Sequence, residues 1–169
     1  RITNWLPAFA STQRPVTLGL SDNWRQIALL VATNMFVGGM IGMERTILPG
    51  LAEQEFGVTS KTAVVSFIAT FGLAKAGSNL LVGPLTQWLT RRRILIAGWM
   101  IGIPVPLLLI WAPAWGWIIG ANLLLGVNQG LAWSMTVNMK MDLAGPRFRG
   151  LVLGFNETAG YTSLAMMAL

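Results

Sequence analysis

No side chain between Arg93 and Lys140 carries a charge, an interval of 46 residues from Ile94 to Met139. One membrane helix needs about 20 apolar residues, so this interval is too long for one crossing and about right for two. Both of its ends are cationic, with Arg91, Arg92 and Arg93 before it and Lys140, Arg147 and Arg149 after it. Two crossings return a chain to the side it left, and an excess of Arg and Lys marks that side as cytoplasmic. These residues predict an integral membrane protein whose inner and outer faces can be told apart.

The rest of the chain agrees. Hydrophobic residues make up 54% and charged residues only 11%, whereas a soluble domain is about a quarter charged. The net charge of +6 does not point to nucleic acid, because the basic residues sit at the ends of apolar runs rather than on one surface. There is no Cys and no His, so disulfides, thiolate metal sites and the commonest general base are all missing. Without a nucleophile, base and metal constellation, the chain is not read as an enzyme, and no catalytic residue, metal site or cofactor is expected. The first residue is Arg rather than Met, which reads as a fragment or a processed product. Residues 1–25 lack the long apolar core of a signal peptide.

Apolar runs and their punctuation predict an all-α, polytopic chain. Residues 1–25 form a cytoplasmic arm, in which Ile2–Phe9 is either a short interfacial piece or a loose tail. Residues 26–169 form a bundle with spans at about 27–51, 62–89, 94–112, 117–141 and 150–169. The second span is expected to break near its inner end at Gly83-Pro84, and Pro104 and Pro106 predict a bend in the third. Nine of the 12 basic residues then lie on the inner side, among them Lys140; Lys61 lies at the outer edge, and Arg45 and Lys75 lie within spans.

The third span carries no strongly polar side chain from Ile94 to Ile110. The other four carry polar stripes at helical spacing. Asn34, Gly38, Gly42 and Arg45 share a face in the first span; Gly72, Lys75 and Asn79 do so in the second. Asn122, Gly126, Gln129, Trp133, Thr136 and Lys140 run the length of the fourth, and Asn156, Glu157, Thr158 and Tyr161 cluster in the fifth. Polar groups in hydrocarbon turn toward other helices or water, and an intramembrane charge marks a functional site by default. The expected picture is four helices around a polar interior, with the third outside. Candidate cavity residues are Asn34, Arg45, Lys75, Asn79, Gln129, Trp133 and Glu157. Of the adjacent pair Glu44 and Arg45, about 100° apart on a helix, at most one faces the cavity squarely. Pairs of glycines four apart, such as Gly38 with Gly42 and Gly126 with Gly130, predict close helix packing.

The loop Gly83-Pro84-Leu85-Thr86-Gln87-Trp88-Leu89-Thr90-Arg91-Arg92-Arg93 resembles the signature loop of the major facilitator superfamily. Gly83, Leu85, Arg91 and Arg92 match it; Gln87 replaces its acid and Thr90 its second glycine. In the fourth span Leu125-Gly126-Val127-Asn128-Gln129-Gly130 is similar to the family's Arg-x-x-Gln-Gly motif, with Gly126 in place of the arginine. Glu44-Arg45-Thr46-Ile47-Leu48-Pro49 is similar to the ending of the first helix in drug-efflux members. Gly150, Gly154 and Gly160 loosely match the glycine-rich motif of its antiporters. The order and spacing of these matches extend over residues 27–169. The resemblance implies that the first, second, fourth and fifth helices line a substrate path.

Taken together, the sequence predicts the amino-terminal part of a secondary transporter that moves a small solute by rocking two helical halves around a midplane site. Arg45 and Lys75 would favour an anionic or polar solute, and Glu157 is the candidate to bind a proton. The expected partners are the lipid bilayer, the solute, and a carboxyl-terminal half or other membrane subunits. Family members have 12 spans, so the alternative is a degenerate relative serving as a structural subunit or assembly factor of a larger membrane complex. The expected location is a bacterial inner membrane with a cytoplasmic amino terminus.

Overall fold

A computed structural model describes residues 17–169. The Ile2–Phe9 segment and most of the arm lie outside the described residues. The helices are α1 (Trp24–Gln54), α2 (Lys61–Val64), α3 (Ser66–Trp88), α4 (Arg91–Gly102), α5 (Pro104–Ile110), α6 (Trp115–Ala144) and α7 (Arg149–Met167), with a 3-10 turn at Pro146–Phe148 before α7. Helices α2 and α3 form one bent rod and α4 and α5 another, so the bundle has five rods, and no strand occurs among the described residues. Three of them, Trp24–Gln54, Lys61–Trp88 and Arg91–Ile110, are long and apolar enough to cross a membrane by length and composition. The other two, α6 and α7, carry polar stripes, as α1 and the second rod also do.

The breaks follow side-chain chemistry. The expected interruption at Gly83-Pro84 is absent, because α3 runs through it to Trp88. A proline removes one hydrogen bond of the ladder, and here the rod continues past it. The second rod breaks instead near its outer end, at Val65. There the Ala63 carbonyl accepts from the Ser66 hydroxyl at 2.6 Å and from the Trp115 indole at 3.0 Å. Such side-chain bonds compete with the helical ladder. The third rod bends at Ile103, just before Pro104 at the start of α5. Likewise α1 continues through Pro49 to Gln54, just beyond the expected end of the first span near residue 51. Between α3 and α4 the backbone is extended at Leu89 and Thr90. Thr90 caps α4 by accepting the Arg93 N–H at 3.4 Å.

Glycines decide which rods meet. A Cβ on Gly126 would strike the Phe71 carbonyl and Ala74, and one on Gly130 would strike Ser78 and the Lys75 carbonyl, so α6 lies backbone to backbone on α3. In the same way Gly38 and Gly42 of α1 abut the backbone of α7 at Gly160 and Leu164. Each pair of small residues lets two helices approach closely, which is how helices associate where lipid is as apolar as leucine. The α4–α5 rod packs on α6 away from α1 and α7, with Gly98 against Leu131 and Asn128 donating to the Gly98 carbonyl at 2.8 Å. Among the rods, α6 is the hub on which the other four pack. Apolar clusters close both ends: Ile27, Ala144 and Val152 at one, Leu48, Phe67 and Ile118 at the other.

Candidate functional site

The polar stripe of α6 determines where the site lies. Lys140 is wholly buried, and its ammonium donates to the Leu30 carbonyl of α1 at 3.2 Å and to Asn156 Oδ1 of α7. Lys140 thus continues the polar stripe expected along α6, and its side chain runs into the bundle. Asn156 in turn donates from Nδ2 to Glu157 Oε1 at 2.8 Å, and Trp133 Nε1 donates to the same oxygen at 3.2 Å. The Trp133 ring lies under the Lys75 ammonium, 4.7 Å from its centroid, and meets Tyr161 edge-on at 6.0 Å. A cation over an aromatic face is attracted by the ring quadrupole. The run therefore passes from α1 through Lys140, Asn156, Glu157 and Trp133 to Lys75 on α3. Glu157 is the one carboxylate in this run, which also holds the ammonium groups of Lys75 and Lys140.

Among the candidate residues, Lys75, Trp133 and Glu157 come together here. Asn79 is close by on α3, accepting at Oδ1 from the Ser134 hydroxyl at 3.0 Å. Asn34 and Gln129 are fully buried and join helices: Asn34 donates to the Asn156 carbonyl at 2.9 Å, and Gln129 to the Val37 carbonyl at 2.6 Å. Arg45 is exposed on α1 and, with its half-buried neighbour Glu44 and Asn122, lines a small cavity outside this hydrogen-bonded group. In the loop, Arg91 pairs with Asp142 of α6 and donates from Nη1 to the Asn138 carbonyl at 3.2 Å. Leu85 is half-buried in the cluster of Val82, Ile94, Leu131 and Met135, whereas Gly83, Gln87 and Arg92 are exposed.

Sequence reasoning did not place Lys140 and Asn156 in the site. For Lys140 a signal existed, because it continues the register of Gln129, Trp133 and Thr136 along α6. For Asn156 none distinguished it from Glu157 next to it; the 100° between neighbours sends one amide into the bundle and the other side chain sideways.

The site opens between α3 and α7, which flank α6. A groove of about 560 Å³ on a different face of α7, lined by Ile27, Val31, Met35, Phe155 and Ala159, is almost wholly apolar. No cluster of three or more potential metal ligands occurs among the described residues.

The geometry is that of a membrane bundle with a charged, aromatic-lined face among its crossing helices. No curated protein and no solved structure matches the chain. The family model for the Major Facilitator Superfamily matches residues 3–168, and with that match over nearly its whole length, the chain belongs to this superfamily of membrane transporters.

Proposed function

We propose that this bundle is the amino-terminal part of a secondary active transporter that moves a small solute by alternating access. One observation carries the reading. Lys75, Asn79, Trp133, Glu157 and Tyr161 share an incompletely buried face on helices that cross a membrane. Lipid does not solvate such a face, so it belongs against water and a second helical bundle. Rocking of the two bundles would expose it alternately to either side. Lys75, with the exposed Arg45 farther out, favours an anionic or polar solute, and Glu157 exchanges the coupling proton. The location that fits is a bacterial inner membrane with the amino terminus in the cytoplasm.

A second reading, a structural subunit or assembly factor built on a transporter fold, is favoured by Gly126. The family motif has an arginine there, but here the position is closed against Phe71 and Ala74. Uptake into proteoliposomes that hold this bundle together with its carboxyl-terminal half separates the readings. On the transport reading a pH-driven flux is measurable, and Lys75→Ala and Glu157→Gln each lower it roughly tenfold or more. Full flux in both variants would remove these side chains from the path. Absence of flux for every anionic and polar solute tried, with stable capture of another membrane protein, favours the subunit.

A further inference from the structure

The apolar groove of about 560 Å³ lies on the seam of α1 and α7, walled by Leu20, Trp24, Ile27, Met35, Phe155 and Ala159. All its lining residues belong to α1, the turn before it and α7, so it stands outside the charged site. Two arginines stand at its mouth. The Arg25 guanidinium lies 5.6 Å from the centroid of the Trp24 ring, and that ring is a wall of the groove. The Arg147 guanidinium lies 5.4 Å from the centroid of the Phe148 ring, which packs with Leu20 against the cluster of Ile27, Ala144 and Val152. We propose that this groove holds an acyl chain of an anionic phospholipid of the adjoining leaflet, with the lipid phosphate against Arg25 and Arg147.

The dimensions fit one leaflet. From Trp24 to Met35 the α1 wall rises about 16 Å at 1.5 Å per residue, and half of a hydrocarbon core of about 30 Å is about 15 Å. The mouth is held in place. The Gly19 N–H donates to the Leu143 carbonyl at 3.0 Å, and the Asn23 amide donates to the Thr17 and Leu143 carbonyls at 2.7 and 3.2 Å. These bonds tie the turn that carries Leu20 to the end of α6. Farther along the seam a second groove, of about 420 Å³, shares Met35 and extends to Met43 and Met167. Among the described residues the arginines stacked on aromatic rings are Arg25 and Arg147, both at the mouth of the first groove.

Charge selects the headgroup. At this end Arg25, Arg147 and Arg149 are exposed, with Asp22 as the exposed carboxylate beside them. Asp142 is engaged by Arg91, and Glu157 is turned to Trp133 on another face of α7. The surplus is cationic, and each such residue near the surface favours an anionic lipid about fivefold. The planar guanidinium fork also matches phosphate oxygens two at a time. A second helix fits less well. Helices in lipid associate through small residues, and the close-packing glycines of α1, Gly38 and Gly42, are already taken by α7. The bulky Trp24, Ile27, Met35 and Phe155 leave a slot between two helices instead of a flat face. The site depends on α1 and α7 crossing a membrane and not on solute transport.

Electron spin resonance of the whole chain in phosphatidylcholine vesicles, with a trace of spin-labelled lipid, tests the site. The motionally restricted signal is expected to favour labelled phosphatidylglycerol over labelled phosphatidylcholine by about fivefold or more. Arg25→Gln combined with Arg147→Gln, both exposed positions, should abolish that preference; Arg25→Gln alone carries the test if the double variant does not fold. Ala28→Trp, at an exposed position on the groove wall, should fill the groove and release the label with the arginines intact. Arg92→Gln combined with Arg93→Gln removes the same charge from the exposed start of α4 and should leave the preference unchanged. Equal affinity for the two lipids in the wild type overturns the proposal. An equal loss in the Arg92 and Arg93 variant also overturns it, because net charge would then explain the preference. A preference that survives Ala28→Trp places the lipid elsewhere, and a doubled mass in detergent that Ala28→Trp halves gives the groove to a second copy; either result overturns it as well.

Discussion

Lys140 shows how much one residue's position matters. A lysine at the end of an apolar run normally reaches out to water. Here it donates instead to a carbonyl of α1 and an amide of α7, so one side chain ties three helices together. Charge-assisted hydrogen bonds of this kind contribute about 1.5–3 kcal/mol. Lys140→Met is expected to lower stability by about that amount, measured by thermal unfolding in detergent. It should also free Asn156, and with it Glu157, so that the emission of Trp133, which donates to Glu157, shifts in the variant. Unchanged stability would mean that Asn156 and Leu30 find other partners. The buried Asn34 and Gln129 show the same economy, each giving its amide hydrogens to a neighbouring helix while its oxygen stays without a partner.

At the scale of elements, two close-packed pairs organise the bundle, α1 with α7 and α6 with α3. The glycines that form them are predicted to be intolerant, and those that face open space are not. Gly38→Ala puts a methyl group into the backbone of α7, and overpacking of this kind costs about 1–3 kcal/mol. Gly72→Ala meets no atom within 4 Å and replaces a poor helix former, a change worth up to about 1 kcal/mol in favour of the folded state. Unfolding midpoints of the two variants should therefore move in opposite directions; equal losses would show that α1 and α7 are not packed as described. Both glycines belong to helical stripes in the sequence, and only the neighbouring helix distinguishes them.

For the whole molecule the decisive matter is sidedness. The chain has no cysteine, so single-cysteine variants report without background. Arg92→Cys, in the exposed first turn of α4, and Pro113→Cys, in the exposed turn before α6, should react with an impermeant reagent from opposite sides of a sealed vesicle. Labelling of both from one side would show that the third rod does not cross. The exposed Trp88 at one end and Trp111 and Trp117 at the other agree with interfacial anchoring at two levels.

Runs without charge, the arginines that bound them and the spacing of polar residues are local properties. Together they determined an all-α membrane bundle, five rods, an apolar third rod and polar stripes on the other four, because hydrocarbon forces every crossing segment to satisfy its own backbone. Bends followed local rules at Pro104 but not at Pro84 or Val65, where the outcome depends on partners such as Trp115, 49 residues away from Ser66. Which face each stripe turns to, and therefore whether a polar side chain joins helices or stays open, depends on what lies across from it. Glu44 and Arg45 are neighbours, and so are Asn156 and Glu157. Only the packing of α6 and α7 around α1 decided which of each pair entered the bundle.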